Sequence, residues 1–185
     1  MIENFLESTS TNWQKMLPSL LVKAQTELSK NFCKVNFDKN FVHGLPNHLE
    51  YGIYLFRIKR KEGFCPIEFQ KQWKSTQLPR KVPNISLKRF EKRNDVDKEF
   101  YFYIGKSEKL TSRIKEHCFL KTNSSTYSLK LKHQKYLLQF VDVYVSYFEI
   151  TNKNIDDLDK PIIQFIITNL EKELRERYNP WVGKQ

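Results

Sequence analysis

Glu50-Tyr51-Gly52-Ile53-Tyr54-Leu55-Phe56-Arg57-Ile58 and Glu99-Phe100-Tyr101-Phe102-Tyr103-Ile104-Gly105 are the two stretches on which the fold turns. Both are rich in aromatic and β-branched residues, so each reads as a strand, the first largely buried and the second ending at Gly105. A third strand is expected from Phe140 to Ile150, where Val141, Val143, Val145 and Tyr147 alternate before Phe148. Three helical stretches surround them. Residues 2–30 carry Phe5, Leu6, Trp13, Met16, Leu17, Leu20, Leu21, Ala24 and Leu28 at helical spacings, with Ser10-Thr11 as a break and Pro18 as a boundary or kink. A short helix follows from about Ser107 to Phe119 with Ser107 as N-cap. A last helix runs from about Lys160 to Tyr178, behind Asp156, Asp157 and Asp159, and stops at Asn179-Pro180. Residues 31–50 mix aromatics with Asn, Asp, Gly and Pro, and suggest short extended pieces and turns. Together these elements predict a small α+β layer with helices packed on one sheet.

The chain has 185 residues and a net charge of +11, and 39% of its residues are hydrophobic. That apolar content offsets the chain entropy of folding and excludes a disordered chain. A pI near 9.5 points to an anionic partner, nucleic acid before an acidic membrane surface. Neither end of the charge argument needs a membrane: the start Met1-Ile2-Glu3-Asn4-Phe5-Leu6-Glu7 is unlike a signal peptide, and the longest apolar stretch, 161–170, falls short of a span. Cys33, Cys65 and Cys118 are scattered and suit reduced thiols in the cytoplasm. His43 and His48, flanking Gly44-Leu45-Pro46, read as loop residues because no ligand stands at metal spacing nearby.

The segment 59–98 differs from the rest. It holds twelve basic and five acidic residues with Pro66, Pro79 and Pro83, and reads as a long basic surface excursion with little regular structure. A second basic patch lies at 121–135. Cations there and in the excursion interleave with Trp73, Phe90, Tyr127 and Tyr136, a composition suited to phosphates and stacked bases. Lys81, Lys88, Arg89, Lys92, Arg93, Lys130 and Lys132 are the candidate nucleic-acid-binding residues.

The two strands place Gly52-Ile53-Tyr54 and Tyr103-Ile104-Gly105 at corresponding positions. Lys106, Leu110, Arg113 and His117 follow in order, and near the C-terminus Leu170-Glu171-x-x-Leu174 precedes Pro180. This series resembles the GIY-YIG nuclease superfamily over residues 49–185, and its second motif is similar to that of the nuclease domain in the bacterial nucleotide-excision-repair incision subunit. The resemblance implies a mainly antiparallel three-stranded sheet flanked by helices, preceded here by an N-terminal helical extension (1–48) and carrying 59–98 as an insertion. It departs from the family in that insertion and in its ending, Pro180-Trp181-Val182-Gly183-Lys184-Gln185, where the family has Pro-x-x-Asn.

The resemblance further implies a metal-dependent endonuclease. Glu171 would be the ligand of one Mg²⁺ (or Mn²⁺) ion, and Tyr54, Tyr103, Lys106, Arg113 and His117 would complete the catalytic set. The residue chemistry agrees. Phosphodiester hydrolysis needs an activated water, a counter-charge for the phosphorane and help for the leaving oxyanion. Arg113 and His117, four residues apart, share a helix face, and an arginine can grip phosphate oxygens bidentately. On the last helix Glu171 and Glu173 flank the apolar stripe on opposite sides, so the wheel alone does not choose between them. Tyr54 or Tyr103 would orient or deprotonate the water. Lys106 would share that task or clamp a phosphate, and His117 would protonate a leaving group or bond a tyrosine. The expected partner is DNA, with RNA as a further substrate class and no membrane. The alternative is a GIY-YIG-fold nucleic-acid-binding protein with weak or no turnover.

Overall fold

The computed structural model describes residues 2–30, 32–75, 82–91, 99–121, 126–150 and 160–183. Helix α1 (Ile2–Ser29) leads into strands β1 (Cys33–Asn36), β2 (Phe41–Val42) and β3 (Gly52–Arg60). Helices α2 (Pro66–Ser75) and α3 (Leu87–Glu91) come next, then β4 (Glu99–Ser107) and α4 (Leu110–Phe119). A 3₁₀ turn at 131–133, α5 (Lys135–Phe140), β5 (Val141–Glu149) and α6 (Lys160–Tyr178) complete the order.

The sheet is antiparallel throughout with order β2-β1-β5-β3-β4, so its five strands correct the expected three. The additional pair comes from residues 33–42. Lys34 and Cys33 pair with Tyr144 and Val145 on the outer edge of β5, and β2 closes back on β1. Strands of four and two residues are too short for an alternation to register, which is why their sequence reads only as extended pieces. They also carry the sheet into the segment expected to be an N-terminal helical extension. β3 is central, hydrogen-bonded to β4 on one side and β5 on the other.

Its burial explains its composition. Ile53 and Leu55 face one core layer with Leu21, Ala24 and Leu28 of α1 and Leu170 and Leu174 of α6. Tyr54, Phe56 and Ile58 face the other, with Leu110, Ile114 and Cys118 of α4. A strand covered on both faces has no polar side to alternate with. The β3–β4 register slips between Phe56 and Arg57, leaving Phe102 opposite no residue of β3. Such a bulge shifts the parity of one strand, and so Phe102 and Tyr103 both belong to the α4 layer while Tyr101 and Ile104 belong to the other.

The excursion 59–98 is not the irregular surface loop its composition suggests. α2 buries Phe69 and Trp73, and the Trp73 indole donates to the Pro83 carbonyl at 2.8 Å. Phe69 stacks on Trp181 with ring centroids 4.7 Å apart. Further on, Ile85 bridges Val182, Ser86 N–H donates to Trp181 O, and Gly183 N–H donates to Asn84 O. The C-terminal segment in turn donates from Trp181 and Val182 to Tyr101 and Phe102 of β4. Residues 181–183 therefore lie between the β4 edge and the excursion and join one to the other.

Helix α1 is continuous through Ser10-Thr11, with Pro18 inside it. No helix among the described residues is long and apolar enough to cross a membrane.

Candidate active site

The two glycines of the paired tripeptides hold their places by contact. A side chain on Gly52 would run into the backbone carbonyl of Phe148, and one on Gly105 would overlap the phenol of Tyr54. Tyr54 stands opposite Gly105 in the register, so the missing Cβ is the space in which its hydroxyl lies. From there the hydroxyl meets the ring of His117, with Oη 2.8 Å from Nε2.

His117 is buried on α4 with both nitrogens committed. The backbone N–H of Leu129 donates to Nδ1 at 3.0 Å. A backbone amide can only donate, so in the neutral ring the proton sits on Nε2 and is given to Tyr54. Burial, reinforced by the nearby Arg113 charge, holds the imidazole well below its usual pKa. His117 is thus a neutral donor to a tyrosine, the second of its two expected roles.

Arg113 lies one turn earlier. Its Nη1 pairs with Glu116 at 2.6 Å and its Nη2 donates to the Tyr127 carbonyl at 2.7 Å. Burial opposes its charge, but the nearby Tyr54 and Glu116 outweigh that and raise its pKa. Two partners do not exhaust a guanidinium with five N–H donors. The stretch 127–129 therefore orients both Arg113 and His117 through backbone groups, a role that side-chain identity does not announce.

Tyr54 accepts from His117, and its ring lies against that of Tyr103 with centroids 6.1 Å apart. Burial, then the neighbouring Tyr103, raise the Tyr54 pKa well above 10. Tyr103 is less enclosed. Burial raises its pKa, Arg113 and the neighbouring Tyr54 work the other way, and Glu171 adds to the rise.

Glu171 approaches from α6, across the β4 edge. It lines a cavity of about 610 Å³ with Arg89, Thr168, Lys172, Arg175 and Asn179, and its carboxylate pairs with Arg175 one turn along the helix. Glu173, the rival on the wheel, does not line that cavity. Lys106, at the end of β4, donates to Thr168 Oγ1 and so reaches the same wall. Ser107 does not cap α4, which begins at Leu110; its hydroxyl instead accepts from the Lys109 N–H in the turn before the helix.

Among the described residues no group of three or more His, Cys, Asp or Glu side chains gathers as a metal site. A single glutamate in a cavity still suits Mg²⁺ or Mn²⁺, hard ions that keep most of their waters and take one or two carboxylates plus substrate oxygens. The donor set fits such an ion and does not fit a closed zinc site.

No protein family, curated protein or solved structure matches the chain.

The candidate nucleic-acid-binding residues divide. Lys88 is exposed on α3, and Lys132 donates to Asn40 at 2.7 Å. Lys130 is fully buried, so it is not a surface cation. Arg89 is only 8% exposed and donates to the Pro180 and Gly183 carbonyls at 2.7 Å each, which makes it an anchor of the C-terminal segment. Lys81, Lys92 and Arg93 lie outside the described residues. Of the aromatics, Trp73 is core and Tyr136 packs on Phe140, whereas Tyr127 is exposed beside Arg113. The side chain of Phe90 lies outside the described part.

Proposed function

We propose that the chain is a metal-dependent endonuclease that hydrolyses DNA phosphodiester bonds. The observation that carries this reading is the convergence of Tyr54, Tyr103, Arg113 and His117 beside β4, with Glu171 acting electrostatically on Tyr103 from α6. Residues distant in sequence seldom place two phenols, a guanidinium, a neutral imidazole and a carboxylate together for packing alone.

In this reading Tyr103 meets the attacking water, because the Tyr54 hydroxyl is already bonded to His117 and Tyr54 is only 1% exposed. Tyr54 and His117 pack their rings against Tyr103 and hold it in place. Arg113 offers its remaining N–H donors to a non-bridging phosphate oxygen as negative charge builds there, an effect worth roughly 10²–10³ in rate. Glu171 would hold one Mg²⁺ or Mn²⁺ ion, which supplies Lewis-acid stabilisation of the phosphate and leaving oxygen when bound. Lys106, tied to Thr168, adds positive charge on the Glu171 side. The scattered cysteines, with no disulfide among the described residues, fit a reducing cytoplasmic setting.

A nucleic-acid-binding protein without turnover is the second reading, favoured by Gly183 in the place of the family's asparagine and by the Arg175 partner already on Glu171. Supercoiled plasmid incubated with Mg²⁺ or Mn²⁺ separates the two. Wild-type protein is expected to convert it to nicked or linear forms, with Arg113→Ala and Glu171→Gln slower by about 10² or more. Equal products from all three proteins would refute the nuclease, and tight salt-sensitive binding without conversion would select the second reading. A matched RNA substrate shows which backbone is cut.

A further inference from the structure

The cavity beside Glu171 contains more positive charge than it neutralises. Arg89, Lys172 and Arg175 line it against Glu171 and Glu176. Arg175 has Glu171 as its carboxylate partner. Arg89 has no carboxylate partner among the described residues. Its two terminal nitrogens serve the Pro180 and Gly183 carbonyls, and its Nε is buried without a hydrogen bond among the described residues. Burial and the adjacent Arg175 both work against its charge. A guanidinium enclosed beside a second guanidinium, with no carboxylate of its own, is stabilised by an anion entering between them. The position of Arg89 removes the obvious objection. Lying on carbonyls just past the end of α6, it covers the negative pole of that helix, which would otherwise repel an anion.

We infer that this cavity is a subsite for a backbone phosphate of the nucleic acid next to the one that is cut, and that Arg175 is shared between that phosphate and Glu171. The inference rests on the nuclease reading for its choice of ligand. With the site empty, Arg175 neutralises the carboxylate. When a phosphate enters, Arg175 turns to it, with Lys172, Thr168 and Asn179 along the same wall. The carboxylate is released at the moment an incoming strand brings its own charge to the site.

Binding without metal tests this, because no cleavage is needed. The probe is a short fluorescein-labelled DNA duplex titrated in EDTA over a range of salt. Arg175→Gln is expected to weaken binding about 3- to 10-fold and to lower the salt slope by about one. Arg175→Lys, which keeps the charge, keeps the slope. Glu171→Gln removes the carboxylate that competes with the phosphate for Arg175 and tightens binding about 3- to 10-fold. The double variant decides, since it should bind like Arg175→Gln alone. If Glu171→Gln tightens binding equally with and without Arg175, the carboxylate acts only as a nearby negative charge and the sharing is refuted. An Arg175→Gln protein that folds and binds with unchanged affinity and slope also refutes it. These outcomes are independent of the nuclease assignment. Cleavage in Mg²⁺ with no effect of Arg175 would sink the subsite alone, and the full cycle without cleavage would sink the nuclease alone.

Discussion

A histidine that cannot give up its proton assignment is the residue on which the site is built. Leu129 N–H on Nδ1 leaves Nε2 to donate to Tyr54, whose ring packs against that of Tyr103. The sign of the pH effect follows. The folded-state pKa of His117 lies well below the ordinary value of 6.5, so below about pH 6.5 the unfolded chain takes up a proton that the folded one refuses. Stability from this residue is full above that pH and is lost as pH falls toward the folded value. Thermal unfolding of wild-type protein between pH 7.5 and pH 5 should show a falling Tm, and His117→Gln, which offers an acceptor and a donor but no titration, should flatten that fall. The two tyrosines separate by a different pair of readouts. Tyr54→Phe strands the buried Nε2–H donor of His117 and should cost about 1–3 kcal/mol of stability as well as activity. Tyr103→Phe should leave Tm nearly unchanged while kcat on plasmid falls by about 10² or more. Equal losses of stability in the two variants would contradict the assignment of roles.

At the scale of elements, the position of α2 is the clearest departure from what composition suggests. Phe69 and Trp73 are four residues apart on a helix whose other large apolar residue, Ile67, is exposed, and both are buried, Phe69 against Trp181. A surface excursion would tolerate their loss. A core helix would not, and Trp73→Ala should cost about 3–5 kcal/mol in denaturant unfolding. The paired glycines make a second case. Gly105→Ala forces a methyl into the Tyr54 phenol, which His117, Tyr103 and Phe56 pack against from the other sides, so both stability (about 1–3 kcal/mol) and turnover should fall together. The elements also explain why Arg113 and His117 are fixed. α4 supplies their common face, but the backbone of 127–129 supplies the carbonyl and amide that aim them.

For the whole molecule the issue is how a net +11 is distributed. Charge counting treats Lys88, Arg89 and Lys130 alike, whereas Lys88 is exposed, Arg89 holds two carbonyls and Lys130 is buried. Neutralising them should therefore have different consequences. Lys88→Gln should lower the salt slope of DNA binding by up to about one without changing Tm. Arg89→Ala removes two charge-assisted hydrogen bonds that tie the C-terminal segment to α3, and should lower stability by about 2–3 kcal/mol, or roughly 5–10 °C in Tm for a domain of this size. Differential scanning calorimetry alongside a salt titration distinguishes these two behaviours.

Local periodicity was enough to mark the strands and helices with long patterns, β3, β4, β5, α1, α4 and α6. The two aromatic strands pair as neighbours because their side chains are apolar on every position that matters to burial. The sequence also marked Tyr54, Tyr103, Lys106, Arg113, His117 and Glu171, through the order of a resembling motif. The remaining elements depend on contacts between segments far apart in the chain. β1 and β2 have two to four residues each, and become strands because β5 offers an open edge. α2 becomes core because Trp181, more than a hundred residues later, returns to cover it. Glu171, favoured by the motif although a wheel does not distinguish it from Glu173, is the one of the two that lines a cavity. Periodicity records how a segment meets its nearest neighbours along the chain. It holds no record of which distant segment closes over it, and that closure sets the burial, proton positions and charge of this site.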